Sequence, residues 1–379
     1  MNVSPPAAPG RDGDAPLFRL LRLSLGIAGD LPPALSPEEW ASLYGEAKRH
    51  SVVAQLYTAI ERLPIGLWPP LELAMQWAND AETVRSLNLA FNAEARRLTR
   101  FFASEGRRTA ILKGQANARL YPEAGMRQPG DIDIWVEGGQ ERVTGLLRKH
   151  KMLDEGTPLC YHHAHLRPDG RSISVEVHYR PSSDRHPGVQ EFLNTELSSL
   201  VLCDEGFYVP SVRFSLVMQL AHIRTHLIAG GIGLRQLVDY YLLLCTATHE
   251  ERREVAGRLR SLRLHRTAEA LMWLLGEVLG LDEAHMLLPP SERRGRWMLK
   301  EVMAKGNFGM HSNLRELGTW QFFLYCRRRM WELFRFEPER GRELLREELR
   351  YWKGIVTGIP LRIKYRSLSL RNHPEAWSE

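Results

Sequence analysis

The chain has 379 residues, 44% hydrophobic and 25% charged, with a formal net charge of +6. That length and balance give two or three domains with sizeable cores, and exclude a disordered, collagen-like or disulfide-stapled chain. No apolar run reaches the roughly 18 residues of a spanning helix. The leucine-rich stretch from Leu17 to Gly29 is broken by Arg19 and Arg22 and lacks the order of a secretory signal, so no membrane contact and a cytoplasmic setting are expected.

Residues 1–15 are rich in Pro, Ala, Gly and Asp and read as a disordered tail. Region 16–106 reads as helical. Ser36-Pro37-Glu38-Glu39 has the form of a helix start: a capping serine, proline at the first position, and glutamate three residues after the cap. A long helical pattern then runs from about Pro70 to Ser104 without internal Pro or Gly.

The character changes near Arg107, and 107–211 reads as an α/β core. Thr109 to Leu112 is a short apolar run, plausibly a strand. Lys113-Gly114 follows it, then a short helix to Tyr121 and a turn-rich loop to Gly130. Ile132, Ile134 and Val136 alternate with Asp131, Asp133 and Trp135, the period of a strand. Residues 139–150 look helical. Leu159 to Leu166 and Ser172 to Tyr179 read as a strand pair about the turn Pro168-Asp169-Gly170. From Val212 onward, region 212–379 is helical again, with breaks at Gly230-Gly231, Pro289-Pro290 and Pro338.

Asp131 and Asp133 stand two apart, so one strand face would carry both carboxylates. Like charges gathered on one face repel and are costly to bury, unless a divalent cation sits between them. Mg²⁺ (or Mn²⁺) takes such hard oxygen ligands together with phosphate oxygens. Glu176 offers a third carboxylate: Ile173, Val175 and Val177 take one face of its strand, Ser174, Glu176 and His178 the other. A sheet that sets this strand beside the Asp strand would complete the cluster. Upstream, Gly114 allows close backbone approach and Lys113 adds a positive charge, both suited to phosphate. Arg127, four residues before Asp131, could also reach phosphate oxygens.

The stretch Ile111-Leu112-Lys113-Gly114 through Arg127-Gln128-Pro129-Gly130-Asp131-Ile132-Asp133-Ile134 resembles the DNA polymerase β-like nucleotidyltransferases. Their mark is a glycine turn, a hydrophobic-Asp-hydrophobic-Asp-hydrophobic strand, and an acidic residue on a later strand. The match is nearer to a largely uncharacterised bacterial branch with Leu-Lys-Gly at the turn and Glu-x-His at the third carboxylate. Gly233-Leu234-Arg235-Gln236-Leu237-Val238-Asp239 looks like that branch's helical domain, and the resemblance spans about residues 92–245. It implies an α+β fold: a small mixed sheet with helices, flanked by N- and C-terminal all-α regions. Carried over, Asp131, Asp133 and Glu176 are catalytic metal ligands. Lys113, Gly114, Arg127, His178 and Arg235 bind the NTP. Gln115 departs from the pattern, standing where a small residue often follows the glycine.

Other features are weighed more lightly. The four cysteines form no Cys-x-x-Cys pair and read as reduced thiols. His222 and His226 have zinc-compatible i, i+4 spacing but no evident third ligand, and read as a polar stripe on the cleft or core. His162, His163 and His165 read as decoration of a strand or loop. Arg235 and Asp239, also i, i+4, make an ordinary helix ion pair or place Arg235 at phosphate. Residues 251–379 hold 25 Lys+Arg and 17 Asp+Glu, or +8, against 26 and 28, or −2, in 1–250. That basic half, and Trp352, Tyr365 and Trp377 among basic residues, permits an anionic partner such as a triphosphate or RNA. A small-molecule or biosynthetic acceptor is favoured. A toxin-like enzyme acting on tRNA or protein and an inactive nucleotide-binding scaffold are the alternatives.

Overall fold

The computed structural model describes residues 12–306 apart from 169, 171, 172 and 230, then 319–338 and a few positions up to 349. The tail from residue 1 to 11 and the aromatic-basic segment around Trp352, Tyr365 and Trp377 lie outside the described residues. Residues 12–14, read above as tail, form a 3-10 turn whose Gly13 N–H donates to Glu277.

Helix α1 covers Pro16–Ser24, α2 Pro37–Arg49, α3 Val53–Ile60 and α4 Leu71–Ser104. The Ser36 hydroxyl accepts from the Glu39 N–H and the Glu39 carboxylate accepts from the Ser36 N–H, so the start read from the sequence closes as a full capping box. Strand β1, Thr109–Ile111, then leads through the one-turn helix α5, Gln115–Ala118, to β2, Ile132–Val136. Helix α6, Gly139–Lys149, connects β2 to β3, His163–His165, and β4, Val175–His178.

These four strands form one mixed sheet in the order β1-β2-β4-β3. β2 pairs antiparallel with β1 and parallel with β4, and β3 pairs antiparallel with β4. A parallel pair needs a crossover, which α6 supplies. Ile132, Ile134, Val136, Val175 and Val177 join Phe91, Leu98 and Phe102 of α4 and Val143 and Leu147 of α6 in one apolar cluster. Both helices therefore cover the same sheet face, and the alternate positions Asp133, Glu176 and His178 are turned to the other.

Three further elements had no clear signal in the sequence: α7, Pro187–Glu196, and the hairpin β5, Leu200–Leu202, with β6, Tyr208–Pro210. β6 packs against β1. Helices α8, Val212–Ala229, α9, Leu234–Thr246, α10, His249–Arg258, α11, His265–Leu279, α12, Glu292–Lys305, and α13, Thr319–Phe336, follow. They share a second apolar cluster with α1 to α3, which also takes in Ala110, Leu112 and Trp135 from the open sheet face. The fold is α+β, as expected. No helix among the described residues is long and apolar enough to cross a membrane.

Candidate active site

The register of β2 and β4 builds the site. Asp133 lies opposite Glu176, and Trp135 opposite His178. Residues opposite each other on adjacent strands share a face, so residues far apart in the chain become neighbours. His178 Nε2 sits 3.0 Å from Asp133 Oδ1 and 3.4 Å from Glu176 Oε2. Burial alone would lower the His178 pKa. Its bonds to Asp133 and Glu176 outweigh that and raise it to about 9. Burial likewise works against the Glu176 charge, but His178 and His163 bring that carboxyl down to about 2.

Lys113 leaves the end of β1 where the Leu112 N–H still bonds the Asp133 carbonyl. Its Nζ stands 3.2 Å from Asp133 Oδ2. Burial disfavours that ammonium, yet Asp133, then Asp131 and Glu176, hold its pKa above the ordinary lysine value. Asp133 Oδ2 is buried and makes no hydrogen bond of good geometry, so the lysine neutralises it from off the lone-pair axis. Gly114 turns the chain at φ +61°, where a side chain would be strained, and an added Cβ would touch the Asp131 carbonyl at 3.4 Å. Gln115, the departure from the family pattern, points backward: its amide donates to Asn92 and Asn88 of α4 and fixes the turn from behind.

Asp131 precedes β2 by one residue and lines the cleft with Lys113 and Gly114. The close trio of ligating atoms is Asp133, Glu176 and His178, within 4.8 Å of one another; Asp131 is not in it and lines the cleft instead. The donor set fits a divalent ion: a buried carboxylate oxygen lacking a hydrogen bond, a second carboxylate opposite it, and two cations, Lys113 and His178, neutralising the pair. Carboxylate oxygens suit Mg²⁺ and Mn²⁺ alike.

The cleft opens between the sheet module and helices α8 and α9. Arg127 and Arg235 both line it. Arg127 donates through Nε and Nη2 to the two oxygens of Asp239, each at 2.8 Å, and the Tyr121 hydroxyl donates to the same carboxylate. This replaces the Arg235–Asp239 helix pair expected from spacing: the planar Arg127 fork meets the carboxylate edge-on, whereas Arg235 points across to the Gln128 carbonyl at 2.8 Å. Burial, with Arg127 nearby, lowers the Arg235 pKa to about 10.

The α8 wall adds His222, which lines the cleft with its ring centroid 4.2 Å from that of His226. Burial pushes the His222 pKa well down and that of His226 to about 4. Gln219 exchanges amide bonds with Asn117 of α5 at 2.8 and 3.0 Å, tying the helical wall to the glycine turn. Tyr121, Asn117 and Gln219 were not singled out from the sequence. Their polar side chains sit among apolar helix positions, a mismatch that marks buried networks.

The model for a family described as uncharacterised nucleotidyltransferase matches residues 36–280. The chain belongs to that family. The matched span takes in the helices around the sheet module as well as the module, so the cleft between them is a feature of this uncharacterised nucleotidyltransferase family's region of the chain. No curated protein matches the chain. Among solved structures it is similar to an antigenic nucleotidyltransferase-like protein from Paracoccidioides brasiliensis. The two are 16% identical, with 54% of this chain and 96% of that one covered and a TM-score of 0.35.

Proposed function

We propose that the protein transfers a nucleoside monophosphate from a Mg²⁺-bound NTP to an acceptor, releasing pyrophosphate. The observation that carries this is the placement of Asp133 opposite Glu176 and beside Lys113, which lines the cleft together with Gly114 and Asp131. Asp131, Asp133 and Glu176 would hold the metal, with His178 orienting the last two. Mg²⁺ or Mn²⁺ bound there would supply charge neutralisation for the triphosphate and activation of the attacking oxygen.

Each of the chain's own groups has a task in this reading. Lys113 and the Gly114 backbone receive phosphate oxygens. Arg235, bonded to a carbonyl rather than a carboxylate, is the cation best able to turn toward them. Arg127 lines the same wall, and its pair with Asp239 makes it a rigid phosphate neighbour. Glu176 is placed to draw a proton from the acceptor. Catalysis comes from positioning and charge stabilisation of an in-line attack on the α-phosphate.

A small-molecule or biosynthetic acceptor is favoured by the concave, polar-lined form of the cleft between the sheet module and helices α8 and α9. The test is a calorimetric titration of wild type and of the double variant Asp131→Ala/Asp133→Ala with each NTP, with and without Mg²⁺. Mg²⁺-dependent binding that vanishes in the variant is the expected result. Folded wild-type protein that binds no NTP would overturn the proposal.

A further inference from the structure

His163 and His165 lie two apart on β3, so both project from the sheet face that carries Glu176 and His178. A turn brings Cys160 back against them: its N–H donates to the His163 carbonyl at 3.1 Å, and the Tyr179 hydroxyl donates to the Cys160 carbonyl. The Cys160 sulfur and one nitrogen of each histidine lie within 4.8 Å of one another. His163 Nε2 and His165 Nε2 are 3.2 Å apart, with their rings 87° to each other.

That nitrogen–nitrogen distance decides the reading. Two imidazole nitrogens each bound at ~2.0–2.1 Å to one tetrahedral Zn²⁺ stand about 3.3–3.4 Å apart. The pair is therefore already spaced as co-ligands. A thiolate bound at ~2.3 Å would sit about 3.6 Å from each nitrogen, a closure of about 1 Å for a side chain on a turn. One sulfur and two imidazoles suit Zn²⁺ and related late transition ions, whereas Mg²⁺ takes oxygen donors.

We propose that Cys160, His163 and His165 form a zinc site beside the carboxylate site, with the fourth position left to water or an added ligand. The other ring nitrogen of His163 supports this assignment. His163 Nδ1 faces Glu176 Oε2 at 3.3 Å and His162 Nε2 at 2.9 Å. An ion on Nε2 obliges Nδ1 to carry the proton; His162 Nε2 accepts it, and the Glu176 carboxylate stands behind as an ionic neighbour. A carboxylate behind a metal-bound histidine fixes the ring and raises its basicity. The site stands on its own ligands and does not depend on nucleotidyl transfer.

The test uses the full-length protein, stripped with a chelator and titrated with Zn²⁺ against a chromophoric competitor, then with Co²⁺. The expected result is one Zn²⁺ per chain and a thiolate-to-cobalt charge-transfer band. Cys160→Ser should remove the band, and both it and His165→Asn should weaken Zn²⁺ binding by more than about tenfold with unchanged circular dichroism. Asp133→Asn should keep the zinc stoichiometry. Less than about a tenth of an equivalent bound by wild type overturns the proposal. So does a cobalt spectrum without the thiolate band, or an ion lost in Asp133→Asn but kept in Cys160→Ser.

Discussion

At Asp133 two cations meet one buried carboxylate, His178 on Oδ1 and Lys113 on Oδ2, and a second carboxylate stands across the strand pair at Glu176. An uncompensated charge in that position would be expensive, and the two cations offset it. Glu176→Gln keeps the shape and removes one charge. In an assay of pyrophosphate release with Mg²⁺ and the preferred NTP, its rate should fall on the order of 10²–10³-fold, the usual effect of losing one charge-stabilising group. A rate within about threefold of wild type would remove Glu176 from the chemistry. The faces of Asp133 and Glu176 were legible in the sequence because alternation with Ile and Val set them, whereas Asp131, read as part of the same strand, lies one residue before it. The histidines around them were not: imidazoles at 162, 163 and 165 are compatible with any strand, and only the β3–β4 register turns two of them toward Glu176.

Among elements, the joint between the loop before β2 and helix α9 is made by Arg127 and Asp239, each about 5% exposed. Removing one partner strands the other charge in the interior, at a cost of about 3–5 kcal/mol. Asp239→Asn should lose that much in urea unfolding at pH 7. Burial works against the Asp239 charge, but Arg127 outweighs it and holds the carboxyl below its ordinary value of 3.8. A lowered pKa gives stability that is complete above the unfolded value and lost as pH falls toward the folded one. The gap between wild type and Asp239→Asn should thus be constant from about pH 5 to 7 and narrow below 3.8. A gap that widens in acid would contradict this pairing. Spacing alone pointed to Arg235 as the partner, since sequence shows i, i+4 neighbours and hides a residue more than a hundred positions away. Helix α7 and the β5–β6 hairpin were missed for a related reason. Their strands are three residues long, too short for alternation to register.

For the whole molecule, the N-terminal helices close onto the C-terminal ones. Gly13 bonds Glu277, Arg22 donates to the Val278 carbonyl, and Leu17, Leu20 and Leu21 enter the same apolar cluster as α11 and α12. Leu21 is fully buried there, and Leu21→Ala should cost about 2–5 kcal/mol. Because the cluster is continuous, calorimetry should show the entire transition moving down together, with Mg²⁺–NTP affinity of the folded protein unchanged. A separate low-temperature transition would mean that α1 unfolds independently. The changes between helical and strand periods near Arg107 and Val212 were readable in the sequence. That the outer helical parts share one core was not, because hydrophobic pattern reveals which face is buried and not against what.

The parallel pairing of β2 with β4 also has a consequence for biosynthesis. Asp131 and Asp133 leave the ribosome ahead of α6, β3 and β4, and the chain lengthens at only ~5–20 residues per second. For those seconds the nascent chain carries its acidic pair without the strand that bears Glu176 and His178. A polypeptide released before Glu176 would lack both the carboxylate opposite Asp133 and the imidazole between them.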